Sequence, residues 1–484
     1  MRRRTFIIGL FIAVIYTVFF QHATFAGNDK DNGQPRAKYV FLFIGDGMGQ
    51  AQVNLTQAYL ATLENKIGFD DLSFTRFPEV GFCSNYTNDQ LITCSAAAGT
   101  ALATGHKTNI GRISMDPAGT KDMESIATKA KNKGFKVGIL TKVSIDHATP
   151  AVFYAHQPDR DMYFEIGTQL TQSNFDLFAG GGFLDPVRVV DGKVVDLVQL
   201  AGEKGFNVVS TREAFDKLAP GPGKTLILSP RLAGDASMPF YLDMDPRDLT
   251  LYDYTAKAIE LLSGEGGFFM MVEGGKIDWA CHGNDAAAVI QEVVEFSKSI
   301  EKAVDFYESH PDETLIVVTA DHETGGLALG NYTMHYSSNI GLIRYQLSSI
   351  EELNKIVADF RAKKSGDPDA DFKRMMKAVD TQTGIHSRAQ GTLLTDNELE
   401  ALKMIFTEDV YGIEAGDGTY VTEDKFIDAV LRLRDQKAGI AWGSNAHTFV
   451  NVPVYAIGQG AEKFSGYIDN TDIPRLIGEI MGVW

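Results

Sequence analysis

The chain has 484 residues, of which 44% are hydrophobic, and this is enough for one large α/β domain with insertions or for two domains. Its formal net charge of −18 argues against nucleic acid as a binding partner. A protein this acidic has to bind an anionic substrate through local positive charge, which a metal ion or a placed arginine would supply.

The amino terminus has the pattern of a secretory signal. Arg2–Arg4 precede an apolar run from Thr5 to Phe20, and small residues follow at Ala23 and Ala26, as signal peptidase requires. We therefore predict a signal peptide over residues 1–26 and an exported protein, either periplasmic or extracellular. The apolar run is short for a bilayer span, so an uncleaved anchor is the alternative, and no stable membrane span is expected after cleavage.

Three cysteines are too few for a disulfide scaffold in a chain of this length. We expect Cys83, Cys94 and Cys281 to be free thiols. A Cys83–Cys94 disulfide is the alternative in an oxidising compartment.

Apolar runs alternate with helical stretches along the rest of the chain. A helix is predicted from Gln50 to about Glu64. The predicted strands are Tyr39–Ile44, Lys136–Leu140, Phe268–Val272, Thr314–Thr319 and Val452–Ile457. This alternation favours an α/β fold with a mostly parallel central sheet flanked by helices.

Carboxylates follow three of these strands, at Asp46, Glu273 and Asp321. Ligands of open α/β sheets bind at the carboxyl edge of the strands. Acids in such loops also cap helices, so a single one would carry little information. Because each of the three lies among glycines or beside a histidine, we expect them to share one site.

Ser95 begins a run of small residues, Ala96–Gly99, inside the segment Ile92–Gly105. Small side chains allow the start of a helix to lie close to a reacting group, and the helix dipole favours an anion there. Ser95 is therefore a candidate nucleophile that needs an activator. No Ser-His-Asp arrangement is evident nearby, and clusters of acids and histidines elsewhere indicate metal ions instead.

Two of these clusters have the spacing of metal ligands. Asp278 and His282 are four residues apart, which places both on one face of a helical turn. Asp321 and His322 are adjacent at a strand end, and zinc sites of hydrolases combine such oxygen and imidazole ligands. His447 lies just before the last predicted strand, where an isolated histidine is more often structural.

The segment from about residue 330 to 440 differs in composition from the rest of the chain. It has more charged residues, and helices are predicted over Ile350–Lys363 and Thr395–Thr407. We interpret it as an insertion on the sheet scaffold, a lid or crown near the site. The stretch Gly366–Asp371 loosely resembles a calcium loop. The sixth loop position is Phe372 rather than the required glycine, so a solvated acidic loop is expected.

Six segments together resemble the alkaline phosphatases, and they occur in that family's order: Phe43–Gly49, Thr93–Gly105, His147–Pro150, Val272–Asp285, Thr319–His322 and Ala446–Thr448. The resemblance implies a three-layer sandwich, with a single domain over residues 27–484 and the insertion outside the matching motifs. It also implies a secreted, metal-dependent phosphomonoesterase that forms a phosphoserine on Ser95 and releases inorganic phosphate. A homodimer is consistent with it, because dimers are usual in the family.

The resemblance assigns roles to individual residues, with two Zn²⁺ and one Mg²⁺ as cofactors. Its ligands for the first zinc are Asp278, His282 and His447. Its ligands for the second zinc are Asp46, Asp321 and His322. Its magnesium ligands are Asp46, Thr149 and Glu273. Arg160 falls where the family has its phosphate-binding arginine, which would hold two phosphoryl oxygens in a bidentate fork.

Three positions depart from the family pattern. Cys94 replaces an Asp that helps to hold the arginine in many relatives, which affects how Arg160 is positioned. His147 replaces an Asp near the magnesium in some branches, so the third site is expected to differ in occupancy or in metal. Trp279 replaces a Lys or His, and it would form a wall of the substrate pocket and donate a single N–H hydrogen bond.

The alternatives are a sulfatase or a phosphodiesterase of the same fold, and a non-catalytic metal-binding protein. A sulfatase nucleophile lies in a Cys/Ser-x-Pro-x-Arg motif, and Ala96 and Ala97 occupy the proline positions after Cys94 and Ser95. A diesterase would not need Arg160 or the magnesium ligands. A non-catalytic protein would lack some ligands, whereas every expected ligand is present.

Overall fold

The central sheet is built from strands that are apolar along their whole length. In this computed structural model, which describes residues 36–386, 394–412 and 424–484, every residue of Tyr39–Ile44, Phe268–Glu273 and Thr314–Thr319 is buried. Strands that are buried on both faces are typical of the middle of a parallel sheet. The predicted signal peptide, residues 1–26, lies outside the described residues.

The strands of the described residues are, in chain order, β1 (Tyr39–Ile44), β2 (Glu79–Ser84), β3 (Lys136–Thr141), β4 (Leu177–Gly180), β5 (Val187–Val190), β6 (Lys193–Asp196), β7 (Phe206–Val209), β8 (Lys224–Leu228), β9 (Phe268–Glu273), β10 (Thr314–Thr319), β11 (Glu323–Thr324), β12 (Ala328–Leu329), β13 (Ile440–Ala441), β14 (His447–Thr448), β15 (Val452–Gly458) and β16 (Gly466–Asp469).

The α-helices of the same residues are α1 (Gln50–Leu63), α2 (Ser95–Thr104), α3 (Ile126–Asn132), α4 (Ala148–Ala151), α5 (Tyr163–Gln172), α6 (Leu197–Glu203), α7 (Arg212–Asp216), α8 (Leu251–Leu262), α9 (Lys276–His282), α10 (Ala286–Ser309), α11 (Ile350–Arg361), α12 (Pro368–Thr383), α13 (Asp396–Tyr411), α14 (Lys425–Ala438) and α15 (Asp472–Met481). Short 3₁₀ helices lie at Gly234–Ala236, Tyr241–Asp243, Ile340–Tyr345 and Ala461–Phe464.

The main sheet has the strand order β16-β2-β15-β10-β1-β9-β3-β4-β8-β7. All its neighbouring strands are parallel except β15, which is antiparallel to both β10 and β2. Helix α10 packs against α1, α8 and α9, and α15 packs against α2 and α3. The predicted α/β fold with a mostly parallel, helix-flanked sheet is therefore confirmed.

The register of the three central strands brings their carboxyl ends to one level. Ile44 at the end of β1 lies opposite Thr319 on β10 and opposite Glu273 on β9. Asp46 and Asp321 each follow two residues after the end of their strand. The register therefore collects Asp46, Glu273 and Asp321 at the same edge of the sheet.

Helices α11–α14, which we call the helical segment (residues 350–361, 368–383, 396–411 and 425–438), have a hydrophobic cluster of their own. Leu353, Met375, Phe406 and Phe426 are fully buried in it, one from each helix. The helical pattern expected here is present. The expected solvated loop is partly wrong, because α12 begins at Pro368 with the Asp367 side chain accepting hydrogen bonds from the first-turn N–H groups.

Cys83 and Cys281 are buried free thiols, and Cys94 is a partly exposed one. Within the described residues, no helix combines the length and the apolarity that a membrane span requires. Residues 36–484 form one compact unit.

Candidate metal centre

The turn after β1 carries Asp46 into the site and requires glycine beside it. Asp46 is fully buried, and Gly47 has a positive φ of 71°. A Cβ atom on Gly47 would lie 2.8 Å from Cα of Asp278. The backbone of β1 can therefore approach helix α9 this closely only with glycine at this position.

Ser95 is the first residue of α2, a helix that forms because half of its ten residues are alanine. No side chain caps the start of this helix, and Ser95 is buried. Gly99 allows the close packing of α2 on α4, because a Cβ there would lie 3.2 Å from Val152 Cγ2. The Oγ atom of Ser95 lies 3.4 Å from Nε2 of His322, which joins the candidate nucleophile to the histidine cluster.

The first group of predicted ligands combines two residues of α9 with His447 of β14. Nε2 of His282 lies 3.3 Å from Oδ2 of Asp278 and 3.2 Å from Nε2 of His447. Nε2 of His447 lies 3.7 Å from Oδ1 of Asp278. The three side chains therefore lie in mutual contact, and ligand atoms of Asp278, His447 and the neighbouring His322 all lie within 4.8 Å of one another.

Both imidazoles of this group are fixed through their other nitrogen. Nδ1 of His282 lies 2.6 Å from the carbonyl oxygen of Asn445, and Nδ1 of His447 lies 2.8 Å from that of Thr93. A carbonyl only accepts hydrogen bonds, so each Nδ1 carries the hydrogen. This tautomer leaves the Nε2 atoms to face the ligand site, as in metal-binding histidines.

The second group is Asp46, Asp321 and His322, all fully buried. Nε2 of His322 lies 3.4 Å from Oδ1 of Asp46 and 3.2 Å from Oδ2 of Asp321. Oδ1 of Asp321 is occupied by the backbone N–H groups of Gly47 and His322. The other oxygen of Asp321 is therefore the one that faces the site.

Thr324 connects the two groups, although no local sequence pattern marks it. Its hydroxyl donates to Oδ1 of Asp278 at 2.5 Å and lies 3.2 Å from Nδ1 of His322. The pairing of β11 with β14 places Thr324 opposite His447, and the rings of His322 and His447 stack with centroids 3.6 Å apart. This short ladder thus sets the distance between the two groups.

The third group lies on the other side of Asp46. The Thr149 hydroxyl donates to Oδ2 of Asp46 at 3.4 Å, and the Thr141 hydroxyl donates to Oε2 of Glu273. Ligand atoms of Asp46, His147 and Glu273 all lie within 4.8 Å of one another. His147, which is expected near the magnesium ligands, lies within this group.

Arg160 and Trp279 both contact His147. Nη2 of Arg160 lies 3.2 Å from Nε2 of His147, which accepts its hydrogen bond, and the Trp279 ring meets the His147 ring edge-on at 5.9 Å. Cys94 is linked to Arg160 through Gly111. Its Sγ accepts from the N–H of Gly111, whose carbonyl accepts from the N–H of Arg160.

Burial makes the ionised form of the carboxyl groups at the sheet edge costly in free energy. Burial and the neighbouring carboxylates hold the pKa of Asp46 well above its usual range. Burial, with the Asp278 charge nearby, raises the pKa of Asp321 to about 8, and burial raises that of Glu273 to about 7. Burial alone would raise the pKa of Asp278 as well, but His282 and the other imidazoles hold it well below its usual value.

The donor atoms of the site fit metal ions. Oδ1 of Asp46, Oε1 of Glu273 and Oδ2 of Asp321 are buried and have no hydrogen-bond partner among the described residues. Buried polar atoms without partners are rare unless an ion or a water completes them. Mixed carboxylate and imidazole donors suit zinc, and the carboxylate and hydroxyl donors around Glu273 suit magnesium.

Every residue predicted for the site belongs to this one connected set of contacts: Asp46, Ser95, His147, Thr149, Arg160, Glu273, Asp278, Trp279, His282, Asp321, His322 and His447. Sequence reasoning missed the residues that hold the ligands in place, Thr324 and Asn445.

The comparisons with known proteins that follow all concern alkaline phosphatases. The family model described as alkaline phosphatase matches residues 37–483. Alkaline phosphatase 4 of Bacillus subtilis is 30% identical over 465 residues, which cover 93% of this chain and 90% of that protein. The cold-active alkaline phosphatase from a psychrophilic Shewanella has a TM-score of 0.75 and 28% identity, covering 92% of this chain and 99% of that one.

A further solved structure is a histidine-to-aspartate variant of TAB5 alkaline phosphatase with Mg bound in its M3 site. It matches with a TM-score of 0.63 and 25% identity, and the match covers 93% of this chain and 99% of that chain.

We predict that Gly47→Ala disturbs the centre. The added Cβ would meet the backbone of Asp278, and the positive φ is strained for alanine, so a loss of about 1–3 kcal/mol of stability and weaker metal binding are expected. Gly202→Ala is the matched control, because Gly202 lies in α6 and a Cβ added there would have no atom within 4 Å. Thermal unfolding and metal titration of both variants check this, and an undisturbed Gly47→Ala would contradict it.

After metal removal, the stability of the fold should fall as the pH rises. Burial raises the pKa of Asp321 to about 8 and that of Glu273 to about 7, and, against the effect of burial, Asp278 raises the pKa of His282 to about 9. The free energy of unfolding falls as the pH rises from a group's unfolded pKa to its folded pKa, which means from about pH 4 for the two acids and from about pH 6.5 for His282. The metal-free protein should therefore lose stability throughout the range from about pH 6.5 to 9. The histidines with lowered pKa values, His147, His322 and His447, no longer titrate in that window.

Metal binding requires the same groups to be deprotonated, so the loaded protein should not lose stability over this range. The melting temperatures of chelator-treated and metal-loaded protein should therefore diverge as the pH rises. A gap that stays constant from about pH 6.5 to 9 would contradict this assignment of the buried acids.

Proposed function

The chain belongs to the alkaline phosphatase family, and from that premise we propose that it hydrolyses phosphate monoesters through a phosphoserine intermediate on Ser95. The observation that carries the proposal is the position of the Ser95 hydroxyl. It lies at the uncapped start of α2 and 3.4 Å from His322, where two groups of predicted metal ligands meet. The products would be an alcohol and inorganic phosphate.

We assign zinc to Asp278, His282 and His447, a second zinc to Asp46, Asp321 and His322, and magnesium to Asp46, Thr149 and Glu273. The unpartnered carboxylate oxygens support these assignments, and the Mg-containing TAB5 variant supports magnesium in a relative. When bound, such cations neutralise the buried carboxylates, favour the serine alkoxide and stabilise charge on the attacking and leaving oxygens.

The chain's own groups account for the two transfer steps. Oγ of Ser95 gives up its proton to solvent and attacks phosphorus, the bond to the ester oxygen breaks, and that oxygen takes up a proton from water as the alcohol leaves. Water then loses a proton and attacks the phosphoserine, the bond from Oγ to phosphorus breaks, Oγ is reprotonated, and inorganic phosphate leaves. The first-turn N–H groups of α2 favour the phosphoryl anion through both steps, because a helix start attracts negative charge.

Arg160 supports selectivity for monoesters. Its guanidinium would bind two non-bridging phosphoryl oxygens, and a monoester dianion offers more charge to it than a diester does. The guanidinium of Arg160 donates to Nε2 of His147, and its backbone N–H donates to the carbonyl of Gly111. Burial and the Arg160 charge lower the pKa of His147 to about 3, so His147 is the neutral acceptor that this contact requires.

Export to the periplasm or the extracellular space remains a prediction from the amino-terminal sequence, and a homodimer remains a prediction from the family resemblance. Exported enzymes of this kind release phosphate from organic esters outside the cytoplasm, and we propose this role for the chain.

Replacing the nucleophile tests the reaction. Ser95→Ala should lower the turnover of an aryl phosphate monoester by about a thousandfold or more, because residual catalysis would come from binding and electrostatics alone. Acid quenching of the wild-type reaction should yield a peptide phosphorylated on Ser95, detected by mass spectrometry. Undiminished turnover by Ser95→Ala would refute the mechanism, and faster hydrolysis of a matched aryl diester than of the monoester would favour a phosphodiesterase.

His147→Asp should tighten magnesium binding, because a carboxylate is a far better partner for this hard cation than an imidazole. His147→Asn is the matched control, since it removes the ring without adding charge. Calorimetric titration of magnesium into zinc-loaded protein measures the affinity, with about a tenfold gain expected for the Asp variant, the size typical of changes around metal ligands. Equal affinities in all three proteins would contradict the placement of the third site.

A further inference from the structure

Helix α9 carries two of the three proposed ligands of the first zinc and is only seven residues long. A helix of this length is not stable by itself, so contacts with its neighbours fix the positions of Asp278 and His282. Several of those contacts come from the helical segment or from the residues that lead into it.

The start of α9 is fixed by a buried ion pair. Nζ of Lys276, which is fully buried, lies 3.2 Å from Oε2 of Glu351 in the first turn of α11. The same Nζ donates to Oγ of Ser237 and to the carbonyl of Met238, both at 3.1 Å. Lys276 precedes Asp278 by two residues, so this contact holds the turn of helix that presents the Asp278 carboxylate.

The end of α9 is fixed by α11 as well. Asp285, a fully buried residue that caps α10, accepts hydrogen bonds from the N–H of Ile350 and from the side-chain amide of Gln346, both at 2.8 Å. A Cβ on Gly283 would lie 3.0 Å from Cδ1 of Ile350, so the two elements pack without a gap.

A third contact reaches His282 from α14. Nη2 of Arg432 donates to Oδ1 of Asn445 at 2.6 Å. Asn445 in turn donates from its side-chain amide to the carbonyl of His282, and its own carbonyl accepts from Nδ1 of the same histidine. Arg432 therefore orients the residue that sets both the tautomer and the direction of the His282 ring.

We propose that the helical segment retains the first zinc by holding α9, with Glu351 and Arg432 as positioning residues for Asp278 and His282. The proposal rests on the function proposed above. A cation leaves such a site when its ligands move apart, so contacts that fix the ligand-bearing helix act mainly on the rate of metal release. Groups that support the direct ligands commonly change metal affinity by about ten- to a hundredfold.

A matched control variant in the same helix distinguishes this positioning role from a merely structural one. Lys437 of α14 pairs with Glu398 of α13 at 2.9 Å, so this ion pair lies within the helical segment. Lys437→Gln removes one charge and one ion pair from α14, as Arg432→Gln does, but it leaves the contacts of α9 in place.

The experiment uses the full-length, zinc-loaded protein, transferred into an excess of a chromogenic chelator at constant pH and well below the melting temperature of each variant. We expect Glu351→Gln to release one of two zinc ions about tenfold faster than wild type, at the lower end of that range. Arg432→Gln should release it about threefold faster, which is below that range because Arg432 is exposed. Lys437→Gln should release zinc at the wild-type rate. In saturating zinc, turnover of Arg432→Gln should return to the wild-type value.

Unchanged release in both Glu351→Gln and Arg432→Gln would overturn the proposal, as would equally fast release from Lys437→Gln. Glu351→Gln leaves Lys276 buried without its charged partner. If this variant fails to fold, the exposed Arg432→Gln decides the question alone. A wild-type protein that binds no zinc would instead refute the proposed function, which distinguishes the two failures.

Discussion

The structure depends on a concentration of negative charge that the protein itself does not neutralise. Asp46, Glu273 and Asp321 meet at one edge of the sheet, fully buried, and each has an oxygen without a hydrogen-bond partner among the described residues. An uncompensated buried carboxylate costs several kcal/mol, so the folded chain is favoured either with protons on these groups or with cations between them. This is why the fold, the ligand set and the chemistry cannot be treated separately.

The same buried negative charge explains why the polar side chains around it are held in fixed orientations. The carbonyls of Asn445 and Thr93 determine which nitrogen of His282 and His447 faces the site, and the Thr324 hydroxyl joins Asp278 to His322. A ligand that rotated freely would lose entropy on binding metal, whereas these side chains are oriented beforehand. Bound cations would thus give the acidic chain positive charge at one point, beside Ser95 and Arg160.

The sequence was sufficient for the parts of the molecule whose signal is local. Strands β1, β9 and β10 are unbroken apolar runs, and the ligands lie next to them among glycines or at helical spacing. Strands β2, β4, β7, β8 and β16 were missed because they are short or of mixed polarity, as strands near a sheet's edge often are. Thr324, Asn445 and Glu351 were missed because their importance comes from partners distant in the chain, which no local pattern reveals.

The same distinction between local and distant determinants applies to α9. The spacing of Asp278 and His282 predicts that both face one way, but it does not predict how firmly seven residues hold them there. That property belongs to contacts made about 70 and 150 residues further along the chain, through Glu351 and Arg432. A ligand motif therefore specifies which atoms bind the metal, while the elements packed around the motif determine how long the metal stays. An insertion that contributes no ligand can control occupancy in this way.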